Sequence, residues 1–428
     1  MGFQQGLSGL HAASQALDTI SHNIANAGTV GYKQQRAEFA DVYSGALAGG
    51  FSPNQIGLGV NVSGISTQFT QGAFTSTNNP LDMAVNGDGF FMVSRNGVTN
   101  YTRDGQFKTN ALGELVTSEN DKVMGFAVTS SGQVLPGQPQ PIVLSKAPMP
   151  PAQSTTLNNM VNLDSRSQVP TSAWTPSGAG PFAPNPNTFN YTSSQTVYDS
   201  QGSAHTMQWY YVKTGANSWD MYGSMDGSQP GNIDIGAGYG NPVTLSFNAS
   251  GQLVSPAAPA AVTVNTAGVT GDVGTIFPSA GTWSMTNDIS GSTQIAAAST
   301  VVSTNQDGYA PGTWAGWAVD SIGRIQGKYS NGEVSWAGQV SLARFENPQG
   351  LVRMGDNLFG ETAAAGNALV GSPGSGTHGM IQNAMTEDST VDLTQAMVDM
   401  ITQQRNYQAN AQVIKTQDSI MQTLLNLR

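Results

Sequence analysis

The 428-residue sequence has no cysteine and few charged side chains. Without cysteine, neither a disulfide framework nor a thiolate zinc site can form. Only 10% of the residues are charged, whereas ordinary soluble domains contain roughly 25%. The 16 Lys and Arg residues are outnumbered by 27 Asp and Glu residues, which gives a net charge of −11. Because nucleic-acid binding needs clustered cations against the phosphates, this balance argues against it.

Two further absences concern membranes and secretion. The sequence has no apolar run of about 18 residues, so no membrane insertion is predicted. The first Lys or Arg is Lys33, so the positively charged start of a secretory signal is missing. If the chain leaves the cell, we expect a route that does not read such a signal. The polar, weakly charged composition fits burial against copies of the same chain, and it fits a secreted, low-lysine β protein equally well.

Both ends of the chain have the pattern of coiled-coil helices. Over residues 4–27, apolar or small residues alternate at spacings of four and three, as in a coiled-coil seam. A second helix is predicted from Val391 to Leu427, with a capping box that starts at Ser389. The predicted polymerisation seam comprises Leu7, Leu10, Leu17, Ile24, Met397, Met400, Tyr407, Ile414, Met421 and Leu425.

Neither terminal helix is expected to stand alone, because isolated helices are marginal in water. The N-terminal one carries a single formal charge, Asp18, in its first 27 residues. We therefore expect residues 1–30 and 385–428 to form a helical polymerisation domain, in which the two ends pack on each other and then on neighbouring chains. The alternative is a two-helix stalk that stays monomeric. The seam methionines are interpreted as packing residues rather than cofactor ligands.

The middle of the chain has β-sheet patterns. Residues 81–147 and 309–359 contain short apolar runs broken by turn pairs such as Asn86-Gly87 and Asn331-Gly332, which adopt positive φ at little cost. They are predicted to be two halves of one inner β domain. The aromatic residues between Trp314 and Trp336 alternate as core residues do, and a sugar-binding groove is the alternative.

A second β domain is predicted over residues 148–308. This segment begins at a proline-rich break and contains eight acidic and two basic residues. Residues 31–80 and 360–384 are predicted to be connecting extended segments. The predicted fold class is thus multidomain α+β. Terminal helices form a coiled-coil-like base, and two mainly antiparallel β domains follow, the second inserted in the first.

No catalytic, cofactor or metal site is predicted. The four histidines are dispersed, and neither a His-Glu-x-x-His motif nor a phosphate-binding glycine loop occurs. Asp82 and Asp88 are close in sequence, but beside Asn86, Gly87 and Gly89 they are typical of turns rather than of a glycosidase pair. We therefore expect a protein that is not an enzyme.

Long motifs at both ends carry a specific resemblance. Residues 21–33, SHNIANAGTVGYK, closely resemble the N-terminal signature of bacterial flagellar rod and hook proteins. Residues 404–410, QRNYQAN, resemble the C-terminal signature of the same family. Two positions differ, since His22 and Thr390 stand where the family usually has asparagine. The matching motif residues are Asn23, Ala25, Asn26, Thr29, Gly31, Tyr32, Gln404, Arg405, Tyr407 and Asn410.

The resemblance implies a structural subunit of the flagellar hook, a curved flexible tube that acts as a universal joint and transmits torque from rod to filament. Residues 37–43 and 197–205 resemble the hook type; a distal rod protein, which would be much shorter and lack residues 148–308, is the alternative. The resemblance also implies a location in the hook and basal body after flagellar type III export. A carbohydrate-active enzyme would leave the terminal heptads unexplained, and an adhesin is expected to need a secretion signal or anchor, neither of which is predicted.

The resemblance further implies that the main partner is a second copy of the chain, in a helical homopolymer. The other partners that it implies are the distal rod protein, the hook cap protein, the hook–filament junction protein and the export apparatus. An unfolded chain must thread through that apparatus, which is consistent with the absence of cysteine.

Overall fold

The computed structural model describes residues 2–42, 57–175 and 182–426. The chain divides into two compact units. Unit 1 comprises Met1–Lys146, Ala315–Lys328 and Val334–Arg428, and unit 2 comprises Ala147–Trp314 and Tyr329–Glu333. Terminal helices together with mostly antiparallel sheets confirm the predicted mixed α+β class.

The helices of the described residues lie mainly at the two ends of the chain. The α-helices are α1 (Gly2–Ala25), α2 (Thr266–Val273) and α3 (Leu393–Asn426). Short 3-10 helices occupy Pro186–Thr188, Pro230–Asn232 and Pro348–Gly350. Both terminal helices were expected from the sequence, although α1 ends two residues earlier than its pattern predicts.

The start of α3 differs from its prediction. Asp392, rather than Ser389, caps the helix, because its Oδ1 accepts hydrogen bonds from the backbone N–H groups of Thr394 (2.8 Å) and Gln395 (3.2 Å). A side-chain acceptor at this position satisfies N–H groups that have no partner within the helix. The helix therefore begins at Leu393 instead of Val391.

A large, mostly antiparallel sheet forms the body of unit 1. Its main path, in hydrogen-bonded order, is β22 (Trp314–Val319), β23 (Arg324–Tyr329), β24 (Val334–Val340), β9 (Lys122–Phe126), β5 (Phe90–Arg95), β6 (Val98–Thr102), β27 (Leu358–Gly360) and β26 (Val352–Gly355). Short strands attached to this path are β7 (Lys108–Thr109), β8 (Leu115–Val116), β10 (Gln140–Pro141), β25 (Leu342–Arg344) and β28 (Leu369–Gly371).

The core of unit 1 includes fewer of the aromatic residues between Trp314 and Trp336 than their alternation predicts. Phe91, Phe107 and Ile325 are fully buried in it. Trp317 packs only partly against this core. The ring of Trp336 is half-buried and lies 4.6 Å from the Arg324 guanidinium. An indole against a cation stabilises a surface position, so the tryptophan alternation marks the edge of the core rather than its centre.

In the described part of unit 1, three two-stranded sheets accompany the large sheet. They pair β1 (Gln35–Val42) with β2 (Gly59–Thr67), β3 (Phe74–Ser76) with β30 (Met385–Glu387), and β4 (Met83–Asn86) with β29 (Met380–Asn383). Residues 31–80 and 360–384, predicted as connecting extended segments, thus contain hydrogen-bonded strands. In particular, β1 and β2 form an antiparallel ladder that contacts α1.

The described residues of unit 2 form two sheets that share one core. One contains β15 (Ile233–Asp234), β18 (Ala260–Asn265), β19 (Thr282–Asp288), β11 (Thr156–Asp164), β20 (Thr293–Ile295) and β21 (Thr300–Gln306). The other contains β12 (Tyr191–Tyr198), β13 (Ala204–Gly215), β14 (Ser218–Met225), β16 (Val243–Phe247) and β17 (Leu253–Ser255). Trp209, Trp219 and Trp283 are buried in this core.

Candidate assembly site: the terminal helices and their junction

The two terminal helices approach each other through small residues of α1. Gly6, Ala12, Ala13 and Ala16 are buried on this face. A Cβ atom placed on Gly6 would lie 3.1 Å from the Cγ1 of Ile414. This spacing shows that the helix axes are close because α1 presents almost no side chain there.

The second close approach is at Gly9. A Cβ atom there would lie 2.9 Å from both the Nδ2 and the Oδ1 of Asn410. The contact therefore explains one position of the C-terminal motif, since the Asn410 amide lies directly over the backbone of α1. Sequence reasoning missed this face, although small residues recur on it at spacings of three and four, at Gly6, Gly9, Ala13 and Ala16.

The leucine positions of the predicted seam lie beside this small-residue face. On α1, Leu7 is exposed, and Leu10, Leu17 and Ile24 are half-buried. On α3, Met400 and Ile414 are half-buried, whereas Met397, Tyr407 and Met421 are exposed. Leu425 lies outside the residues whose side chains are described. Within one chain these residues thus form no continuous seam, and their part in polymerisation stays a prediction.

The first three turns of α3 carry an exposed apolar surface. Leu393, Met397, Val398 and Ile401 retain between 46% and 55% of their accessible area. They follow one another at helical spacings and therefore lie together on the helix surface. We name these four residues the α3 patch. Contiguous exposed apolar area of this kind is typical of an interaction surface.

The end of α1 is joined to β1 by a hydrogen-bonded turn, which the N-terminal motif builds. The buried Asn23 side chain accepts hydrogen bonds from the Tyr32 hydroxyl (3.0 Å) and the Gln35 N–H (2.9 Å), and it donates to the Gln35 carbonyl (2.7 Å). Gly31 has φ +70°, and a Cβ atom there would lie 2.6 Å from the Asp104 nitrogen. These motif positions are thus fixed by backbone geometry.

The remaining residues of the N-terminal motif lie in the same turn. Ala25 is the last residue of α1 and is exposed. The Thr29 hydroxyl donates to the Asn26 side-chain oxygen at 3.2 Å, and the Asn26 amide donates to the His22 carbonyl at 2.9 Å. Side-chain to backbone bonds of this kind end a helix and start a turn.

Replacing Asn23 with alanine is predicted to destabilise unit 1 by about 1–3 kcal/mol, because the Gln35 backbone groups lose their buried partner. Asn26→Ala is the matched control, since the Asn26 side chain lies at the surface. Denaturant unfolding followed by circular dichroism at a helical wavelength measures both. Equal losses for the two variants would contradict this role of Asn23.

A buried ionic cluster connects the segments that follow α1 and precede α3. The Glu387 carboxylate accepts from the Lys33 Nζ at 2.6 Å and from the Gly72 N–H at 2.8 Å, and it lies 3.5 Å from the Arg103 Nη1. The side chains of Lys33 and Glu387 are 0% exposed. Burial lowers the pKa of Lys33, and the neighbouring Glu387 carboxylate opposes that shift.

Backbone groups complete the cluster. Lys33 also donates to the Thr70 carbonyl at 2.6 Å, and Arg103 donates to the Gly87 carbonyl at 2.9 Å. Burial lowers the pKa of Arg103, and the Glu387 carboxylate opposes this. Since charges removed from water need both a partner and hydrogen bonds, we infer that the cluster fixes the junction of the terminal helices with the sheets.

Comparison with known proteins gives matches along the chain. The family model described as "Flagella basal body rod protein" matches residues 3–33, and "Flagellar basal body rod FlgEFG protein C-terminal" matches residues 382–427. Between them, "Flagellar hook protein FlgE/F/G D1 domain" matches residues 84–158, and "Flagellar basal body protein FlaE D2 domain" matches residues 162–309.

Full-length relatives are also similar. The chain is 39% identical to the flagellar hook protein FlgE of Escherichia coli over 432 residues, covering 100% of both chains. It is 32% identical to that of Borreliella burgdorferi over 446 residues, covering 99% of this chain and 98% of the relative. The chain belongs to the flagellar hook protein FlgE family. This membership favours the hook over the rod alternative, and the family's proteins are structural.

A solved structure supports the fold of this hook protein family member. The crystal structure of Helicobacter pylori flagellar hook protein FlgE2 covers 72% of this chain and 99% of its own, with a TM-score of 0.51 and 15% sequence identity. Within the described ranges, no group of three or more His, Asp or Glu residues is placed to hold a metal ion. No described helix is long and apolar enough to cross a membrane.

The C-terminal motif of the hook family differs in role from the N-terminal one. Gln404, Arg405 and Tyr407 are exposed. Thr390, where the family usually has asparagine, accepts a hydrogen bond from the Gln34 N–H at 2.9 Å. The substitution thus keeps a polar side chain in the junction, and the exposed motif residues are available for contacts with other molecules.

Proposed function

We propose that the chain polymerises through its terminal helices, residues 1–30 and 385–428, into the curved, flexible tube of the bacterial flagellar hook. The observation that supports this most directly is the exposed α3 patch. A single chain leaves about half of the area of these apolar side chains in water, although each would gain roughly 0.8–1.5 kcal/mol on complete burial. Contact with neighbouring copies would remove them from water, and the charge-poor α1 would be covered in the same way.

The tube must resist twist and yet bend at little cost as it rotates and transmits torque from rod to filament. We propose that the terminal helices supply the cohesive contacts of the tube. Residues 148–308 have eight acidic and two basic side chains and therefore a net charge of −6. Such a surface favours small polar contacts between copies, which separate easily, as in transient interfaces.

The remaining partners follow from the family. We propose that the tube adjoins the distal rod protein at one end and the hook–filament junction protein at the other, and that a hook cap protein is present during growth. Export as an unfolded chain by the flagellar type III apparatus would place the subunit outside the cell.

Electron microscopy of the purified, assembled full-length chain tests the proposal. Curved tubes are the expected result. Short straight tubes would favour a rod protein, and the absence of any polymer would contradict assembly through the terminal helices.

Removal of residues 148–308 is predicted to leave a tube that forms but lacks the normal curvature and flexibility. The terminal helices and their junction remain in this variant, so polymerisation is expected to persist. Image analysis of tube curvature, with the full-length chain as the control, measures the effect. A truncated tube of normal curvature and flexibility would contradict the role proposed for this segment.

A further inference from the structure

A histidine buried in unit 2 lies between two carboxylates. His205, at the start of β13, is 3% exposed. Its Nδ1 lies 2.7 Å from the Oδ2 of Asp226, and its Nε2 lies 3.5 Å from the Oδ2 of Asp199. A neutral imidazole has one N–H group and one nitrogen lone pair. It could therefore donate to only one of the two carboxylates and would present a lone pair to the other.

Both carboxylates are fixed by the backbone around them. The Oδ1 of Asp226 accepts from the Thr206 N–H at 2.7 Å. The Oδ1 of Asp199 accepts from the N–H groups of Gln201 and Ser203, each at 2.8 Å. These bonds orient the second oxygen of each carboxylate towards the imidazole. Asp199 belongs to the turn between β12 and β13, and Asp226 follows β14, so the ring joins two turns at the same end of one sheet.

The other neighbours of the ring are neutral. Phe277 stacks on the imidazole, with ring centroids 4.5 Å apart and an interplanar angle of 13°. Trp283 on β19 makes an edge contact with the same imidazole, and the two ring centroids are 5.9 Å apart. The two basic residues of unit 2 have other partners: Arg166 pairs with Asp164, and Lys213 donates to the carbonyls of Ser165 and Ser167. Among the described residues of unit 2, His205 is therefore the group that can supply a positive charge to both carboxylates.

We propose that His205 is held as an imidazolium and acts as a proton-dependent lock, which joins the turn at Asp199 to the turn at Asp226 and is released when the ring loses its proton. The doubly protonated ring donates from its Nδ1 to Asp226 and places its positive charge 3.5 Å from the Oδ2 of Asp199, which has no other hydrogen-bond partner among the described residues. The neutral ring loses that charge and has one N–H group for two carboxylates. The lock therefore couples the rigidity of this end of unit 2 to the pH of the surrounding medium.

The direction of the pH dependence follows from the two kinds of group. Burial alone would lower the pKa of His205, but Asp226 and Asp199 outweigh it and raise that pKa above 6.5. The stabilisation is thus complete below pH 6.5 and is lost as pH rises through the pKa of the folded state. Burial alone would raise the pKa of Asp199, but hydrogen bonds from Ser203, Gln201 and His205 lower it. The stabilisation that Asp199 contributes is therefore lost only as pH falls through its lowered pKa.

Titration of the histidine ring signals by NMR tests the lock directly. The full-length chain has four histidines, and His205→Gln identifies the signal of His205 by its disappearance. The expected titration midpoint lies above 6.5, and Asp226→Asn lowers it. A midpoint at or below 6.5, or one that Asp226→Asn leaves unchanged, would overturn the proposal. The midpoint is read in the folded parent chain, and if His205→Gln folds poorly, glutamine variants of the other three histidines assign the signal by elimination.

Hydrogen exchange of the backbone amides at 199–207 and 224–228 gives a second readout. At pH 6 the amides of His205→Gln are expected to exchange at least roughly fivefold faster than those of the parent chain, and by pH 9 the two chains converge. His378→Gln, which removes an imidazole from unit 1, serves as the control and should leave both segments unchanged. If the ratio of the amide exchange rates of His205→Gln and the parent chain is the same at pH 6 and pH 9, the effect comes from packing alone, and the lock is contradicted.

Discussion

Replacing Glu387 with alanine is expected to destabilise unit 1 by about 3–5 kcal/mol, the usual cost of removing one partner from a buried ion pair. The variant leaves the Lys33 ammonium without a carboxylate in a site where both side chains are 0% exposed. It also removes the acceptor of the Gly72 N–H. Denaturant unfolding of the full-length chain, monitored with a spectroscopic probe in unit 1, measures the loss of stability.

Two further variants separate the ionic contribution from simple truncation. Glu119→Ala removes an exposed carboxylate of the same unit and should change stability by no more than about 0.5 kcal/mol. The double variant Lys33→Met with Glu387→Leu removes both charges while keeping apolar volume, and it should recover much of the lost stability. If the double variant were as unstable as Glu387→Ala, packing rather than the unpaired charge would explain the effect.

The sequence predicted the terminal helices because helix formation here depends on a local property. The apolar and small residues of α1 and α3 recur with helical spacing, and few charges interrupt them. The exact start of α3 was wrong because Ser389 and Asp392 both have side chains that can cap a helix. Which one does so depends on the path of the preceding chain, where Thr390 bonds to Gln34.

The face on which α1 meets α3 could not be chosen from spacing alone. Leu7, Leu10 and Leu17 recur every three or four residues, and so do Gly6, Gly9 and Ala13. Leucine offers more apolar area, so the pattern predicts the leucines as the polymerisation seam and does not distinguish a separate face for the contact between α1 and α3. Within one chain that contact is made by the small residues, where Asn410 and Ile414 approach the α1 backbone. The leucine side chains of α1 lie beside this contact.

The ionic cluster around Glu387 could not be predicted from the sequence, for a different reason. Lys33 and Glu387 are 354 positions apart, and Arg103 and Glu387 are 284 apart. No short motif joins such residues, and a lone Lys or Glu is usually a solvated surface residue. By contrast, the motif around Asn23 and Gly31 was visible, because its residues act on one another within a single turn.

Replacing Ile401 with aspartate is expected to abolish tube formation at concentrations where the parent chain polymerises. Ile401 lies in the α3 patch and is 51% exposed in the single chain, so the substitution should leave the monomer folded. In a polymer that covers the patch, the carboxylate would be buried without a partner, which costs several kcal/mol. Since about 1.4 kcal/mol corresponds to tenfold in affinity, the critical concentration should rise roughly 100-fold or more.

Two matched variants decide whether burial of the patch is the cause. Ile401→Val keeps an apolar side chain and loses about 0.8 kcal/mol of burial, so it should still polymerise. Thr416→Asp adds the same charge to α3 at an exposed polar position, and it should polymerise as well. Sedimentation and electron microscopy report assembly, and circular dichroism confirms that the helices persist. Tubes from Ile401→Asp as abundant as those from Thr416→Asp would place the cohesive contact elsewhere on the terminal helices, with Leu7 and the flanking leucines of α1 as the next surface to test.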